Sequence, residues 1–182
     1  MKIAPPGQGA AGASFEVPLE MLAACHLRVA DQCDTLRRLV PHVAAHGADA
    51  RARTAATRVM RYFDTAARDH HADEEVDLFP ALIESMAGSD AVCLHAITAA
   101  LTAEHRVLEA HWRRVRTALQ AIVDAPAEAP ISLDADVVQP FVDLYAGHIA
   151  REEAELLPMA ARLLGDADLA RIGRAMRQRR GV

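Results

Sequence analysis

Apolar positions fall into four long stripes along the chain. The first runs through Leu19, Leu22, His26, Val29, Cys33, Leu36, Val40 and Val43. Its alternating steps of three and four residues mark one face of a bundle helix. The second stripe reads Val59, Phe63, Ala66, His70, Glu74, Leu78 and Ala81. The third is Leu94, Ile97, Leu101, His105, Leu108, Trp112, Val115, Leu119 and Ile122. The fourth is Val137, Phe141, Tyr145, His148, Glu152, Leu156, Met159 and Leu163. Each stripe is interrupted by a histidine, and two also by a glutamate, where an apolar side chain belongs.

Punctuation between the stripes supports helices with short connections. Pro18 suits a first helical turn, and Gly47 can close the first helix after His46. A second helix is expected from near Asp49, kinked at Pro80 because proline cannot continue the hydrogen-bond ladder. Gly88-Ser89-Asp90 reads as its stop, with Ser89 or Asp90 as cap for the third helix. Asp124 to Pro130 reads as a loop, and Ser132 and Asp134 as caps for the fourth helix. Gly165-Asp166 breaks that helix, and Asp168 to Gln178 forms a short last one through Leu169, Ile172 and Met176. The expected fold is therefore all-α: an up-down-up-down four-helix bundle with a short extra C-terminal helix. Residues 1–16, rich in Pro, Gly and Ala, read as a flexible N-terminal tail, and 17–182 as one domain.

Composition agrees. The 182 residues are 52% hydrophobic but only 4% aromatic, which favours helix over sheet. No apolar run approaches the roughly 20 residues of a membrane span, and the N-terminus lacks the apolar segment of a signal peptide. The expectation is a cytoplasmic protein without membrane partners. Three scattered cysteines, Cys25, Cys33 and Cys93, make neither a disulfide framework nor a zinc motif and read as small buried hydrophobes. A redox role stays open for Cys25, beside His26. The net charge of −5 gives no reason to expect nucleic acid. Arg171, Arg174, Arg177, Arg179 and Arg180 read as a solvated helix end.

The chemistry lies in a sentence the chain repeats. His70 to Pro80 and His148 to Pro158 both read H-x-A-x-E-E-x-[D/E]-L-[F/L]-P. Positions i and i+4 of a helix share a face, so each copy sets an imidazole beside a carboxylate. His71 and Glu75 make a second such pair in the first copy, but Ile149 replaces the histidine in the second. The shared register is His70/Glu74 and His148/Glu152. Glu75 and Glu153 then lie about 100° round the helix, as groups that support the ligands or face solvent. Counting from the turns places His26, His70, His105 and His148 at one level, each about 14 to 21 residues from its connections.

Six buried ionisable groups, His26, His70, Glu74, His105, His148 and Glu152, are costly unless they coordinate something. Four imidazoles and two carboxylates suit iron, manganese or zinc. They exceed what one tetrahedral zinc needs, and two bridging glutamates with a histidine pair on each metal is the economical arrangement. His42, His46, His95 and His111 fall off the seam or off the level. Tyr145, nearly one turn before His148, is placed either to hydrogen-bond into the site or to fill the core.

The pattern H…HxxxE…H…HxxxE on four helices resembles the hemerythrin-like, HHE cation-binding family of non-haem di-iron proteins, over about residues 17–165. The resemblance implies two iron ions, oxo- or hydroxo-bridged, with His26 and His70 serving one, His105 and His148 the other, and Glu74 and Glu152 between them. It implies binding or sensing of oxygen, nitric oxide or peroxide. The alternatives are an enzyme or iron-handling protein in peroxide or nitric-oxide detoxification or iron–sulfur repair, and a scaffold with a vestigial site. One departure stands out. Oxygen-carrying members have a second histidine four residues after the first on the third helix, and here that position is Glu109, as a ligand, a supporting group or plain surface.

Overall fold

The structure, a computed structural model, describes residues 14–86, 90–126 and 129–182. Most of the expected N-terminal tail and the Gly88-Ser89 stop lie outside the described residues. Eight α-helical segments follow in order: α1 (Pro18–His46), α2 (Ala50–Asp64), α3 (Ala66–Ala72), α4 (Phe79–Ser85), α5 (Asp90–Asp124), α6 (Ala135–Arg151), α7 (Leu157–Leu163) and α8 (Asp166–Arg180). Two π-helical segments, Asp73–Leu78 and Glu152–Leu156, join α3 to α4 and α6 to α7. The architecture is an all-α bundle, with no strand among the described residues.

The caps follow from sequence. The Asp49 carboxylate accepts a hydrogen bond from the Ala52 amide at 2.7 Å, and Asp134 accepts one from Asp136 at 2.8 Å. These side chains satisfy amides that the first helical turn leaves without partners. Gly47 closes α1 with φ of 63°, a left-handed value that glycine adopts without penalty.

Cross-helix pairs run in opposite order along neighbouring segments. Arg53 donates to the Val123 and Ala125 carbonyls, Trp112 donates to Asp64, and His105 meets Glu75. Likewise Arg37 pairs with Asp143 and His26 with Glu153. These are the pairings of antiparallel neighbours. The buried apolar side chains form two clusters, one around Val29, Leu36, Phe63, Trp112 and Phe141, the other around Leu22, Leu78, Leu101 and Leu156. Between them lies a layer of buried histidines and glutamates.

The second helix departs from expectation. It breaks at Thr65, whose φ and ψ of −125° and −82° are not helical. It does not simply kink at Pro80: the turn before that proline widens into the π segment. Proline lacks the N–H that would close an ordinary turn, and its ring crowds the carbonyl four residues back. A wider turn relieves both problems. Pro158 has the same relation to the second π segment.

α8 packs across the first π segment. Arg179 and Arg180 both pair with Asp73, which is fully buried, and Arg179 also reaches Asp77 at 2.7 Å. Two of the arginines expected on a solvated helix end are thus structural. Phe15, at the edge of the predicted tail, crosses α8 at Gly173, where any Cβ would stand 2.0 Å from the Phe15 carbonyl oxygen. Cys25 and Cys33 are buried, as expected, but Cys93 is exposed, because its neighbour Leu94 takes the inward position.

Candidate metal centre

Each ligand candidate reaches the polar layer from a different segment. α1 presents His26, α3 His70, α5 His105 and α6 His148, while the π segments carry Glu74 and Glu152. In each π segment the glutamate carbonyl accepts from the amide five residues on, Glu74 from Phe79 and Glu152 from Leu157. The repeated sentence thus produces a repeated backbone device, which sets each glutamate at the first position of a widened turn.

The carboxylates connect the histidines in a definite way. Glu74 Oε1 lies 3.4 Å from His70 Nε2, and its Oε2 lies 3.3 Å from His105 Nε2. Glu152 Oε2 lies 3.0 Å from His26 Nε2, and its Oε1 lies 3.1 Å from His148 Nε2. Each glutamate therefore spans the two histidine pairs. Two four-residue groups result, His26–His70–Glu74–Glu152 and Glu74–His105–His148–Glu152, each with donor atoms all within 4.8 Å of one another. The structure brings together all six residues singled out in the sequence.

These contacts are close but poorly aligned. His26 Nε2 and all four carboxylate oxygens of Glu74 and Glu152 make no hydrogen bond among the described residues. Buried groups left in that state cost several kcal/mol. A cation in each group would satisfy them, and the nitrogen-rich donor set suits a borderline transition metal. The residues fit such ions.

The outward ring nitrogens find carboxylates on three of the four histidines. His105 Nδ1 lies 2.7 Å from Glu75, His148 Nδ1 2.9 Å from Glu104, and His26 Nδ1 3.1 Å from Glu153. Arg106 pairs with Glu75 and Arg151 with Glu104, so two of these carboxylates are themselves held. Such partners fix ring orientation and leave Nε2 free to coordinate. His70 Nδ1 is buried without a partner among the described residues.

Charge follows the same geometry. Burial first, then the neighbouring Glu152, push the Glu74 carboxyl well above the usual range. Burial also opposes charge on Glu152, but its contacts with His148 and His26 win and hold its pKa well below normal. Burial pushes His70 down to about 3 and lowers His105 despite Glu75. His148 resists burial through Glu152 and Glu104, and its pKa is raised. Three of the five effects keep imidazoles neutral or a carboxylate charged, as metal ligands must be. Glu74 and His148 run the other way, and each would have to lose a proton.

Sequence reasoning missed two neighbours. Glu104 precedes His105 on α5 but reaches across to His148 on α6; an acidic residue flanking a seam histidine was the available signal. His71 was set aside by the comparison of the two copies. Its ring stacks on His105, with centroids 3.9 Å apart and 12° between planes. Tyr145 places its hydroxyl 3.4 Å from His71 Nε2. Glu109 lies on the surface, 57% exposed and 3.7 Å from Arg113. His42 and His46 sit at the end of α1, where His42 pairs with Asp49.

The fold and this layer define a helical bundle built round a buried histidine–carboxylate centre. The family model for the Hemerythrin HHE cation binding domain matches residues 17–160, and the chain belongs to that family. It is also similar to a Haemophilus influenzae (strain ATCC 51907 / DSM 11121 / KW20 / Rd) protein described as "Uncharacterized protein". The two are 30% identical over 170 residues, 93% of this chain and 94% of the relative. No described helix is long and apolar enough to cross a membrane.

Proposed function

We propose that the chain holds a non-haem di-iron centre and uses it to bind or sense oxygen or a related small species such as nitric oxide or peroxide. The observation that carries the reading is the double span of Glu74 and Glu152, each touching one histidine from each pair. His26 and His70 would terminate one iron and His105 and His148 the other, with the two glutamates bridging. Bound iron would supply a redox couple and open coordination positions for small ligands. The chain supplies the rest. Glu75, Glu104 and Glu153 orient three of the imidazoles, and the apolar clusters above and below keep bulk water out. The three free cysteines suit a reducing compartment, and the reading places the protein in the cytosol.

Metal analysis of protein purified anaerobically tests this. About two irons per chain are expected for a bridged pair, and His70→Ala and Glu152→Ala should each lose them. One zinc per chain, or iron untouched by both changes, would sink the assignment. A second reading is an enzyme that turns over peroxide or nitric oxide, favoured by a groove that leads from the surface to His105. Reduced protein mixed with oxygen separates the two: a stable, reversible visible band supports binding, and consumption of peroxide supports turnover.

A further inference from the structure

One half-buried imidazole is left over by the two carboxylate-linked groups. His71 shares neither, yet its ring nitrogen lies with those of His105 and His148 inside a 4.8 Å group of its own. It also lines a groove of about 480 Å³ between α3 and α5. The outer part of that groove carries Arg106, Glu109 and Arg113, with side chains 60%, 57% and 70% exposed. The inner part is formed by His71, His105 and Tyr145, of which His105 and Tyr145 are only 1% and 4% exposed. A water occupies roughly 30 Å³ in the liquid, so the groove admits small molecules with room to spare. The ring of His71, 3.4 Å from the Tyr145 hydroxyl, stacks on the face of His105 at its inner end.

We infer that His71, positioned by Tyr145, gates this groove and hydrogen-bonds the small ligand that binds on the His105–His148 side of the centre. The inference rests on the di-iron reading but assigns a role that the six ligand candidates do not cover. The ligand class is a diatomic molecule or small anion with a lone pair on its outer atom. The imidazole donates to that atom when the ligand is in place, and Tyr145 keeps the ring from swinging into the groove. The centre is thereby lopsided: small ligands approach the His105–His148 position, while His26 and His70 stay enclosed.

Azide is the probe, mixed with oxidised, iron-loaded full-length protein and followed by stopped-flow absorbance, with metal content measured on each sample. His71→Ala should keep both irons and bind azide faster, because the cover is gone. It should also release azide faster, and lose roughly three- to tenfold in affinity, the size of one hydrogen bond. His71→Gln, which retains a donor, should restore much of the slow release. Ala72→Phe, which narrows the groove, should slow association with metal content unchanged. Parent-like rates in His71→Ala with both irons present would overturn the gate. Loss of an iron in His71→Ala would overturn it too, since His71 would then be a ligand. If the parent chain itself holds no iron pair, the di-iron reading fails before azide is added.

Discussion

Glu75 Oε1 lies 2.7 Å from His105 Nδ1, which makes His105 the most tightly held imidazole of the layer. Glu75 is only 19% exposed and is anchored in turn by Arg106. His148 has the same arrangement through Glu104 and Arg151. His26 has only Glu153, which is 49% exposed, and His70 has no such partner among the described residues. Glu75→Gln and Glu104→Gln are therefore expected to weaken metal binding by about 10- to 100-fold, and Glu153→Gln by less. Competition titration against a chelator measures this. Equal effects from all three changes would show that the carboxylates do not set ligand strength.

Asp73 is a test of stability rather than of ligation. It is fully buried and lies between Arg179 and Arg180, one residue before Glu74. Burial raises its pKa while both arginines pull it back. Removing one partner from a buried ion pair strands the other charge and typically costs about 3–5 kcal/mol. Asp73→Ala is expected near the low end of that range, because the arginines are about one-fifth exposed. Urea unfolding of the metal-free protein checks it, and a change below about 0.5 kcal/mol would mean that α8 docks without the pair.

Glu109 answers a question the sequence left open. Its carboxylate is 57% exposed and faces Arg113 on its own helix. A pair of this kind contributes about 0.3–0.5 kcal/mol. Glu109→Gln is expected to leave metal content and unfolding midpoint unchanged within error. Loss of an iron would return Glu109 to the ligand set.

Much of this could be read from residues alone, for stated reasons. Seam spacing and caps are local, so α1, the Asp49 start and the Asp134 cap were foreseeable. The level of the four histidines needed only helical rise and short connections. The π segments were not foreseen, although Pro80 and Pro158 stand in identical positions, because proline permits several responses and packing selects among them. The break at Thr65 carries no proline or glycine at all. His71 was lost for a different reason. Comparison of the copies assumes two equivalent walls, but His71 lies against His105, and the position that aligns with it in the second copy is Ile149. Glu104 was missed because its partner sits on another helix, at a rotation that sequence spacing does not specify.

The metal-free protein should become less stable on acidification, and His70 supplies a definite part of the slope. Its folded-state pKa is depressed to about 3, from an unfolded value near 6.5. Between those values the unfolded chain binds a proton that the folded chain refuses, so stability falls as pH drops through that window. Glu152 acts in the same direction, since its depressed pKa stabilises the fold above the unfolded value of 4.5 and that contribution is lost below it. Glu74 and His148 act the opposite way, because raised pKa values stabilise the fold at low pH and lose that effect as pH rises. The contribution of His70 alone is thus best isolated by difference. Urea midpoints at about pH 7, 6 and 5 should fall more steeply for the parent than for His70→Asn, by an amount of order 1 kcal/mol per pH unit. Identical slopes would mean that His70 takes up its proton as readily in the folded protein as in the unfolded chain, and that the layer does not hold it neutral for a metal.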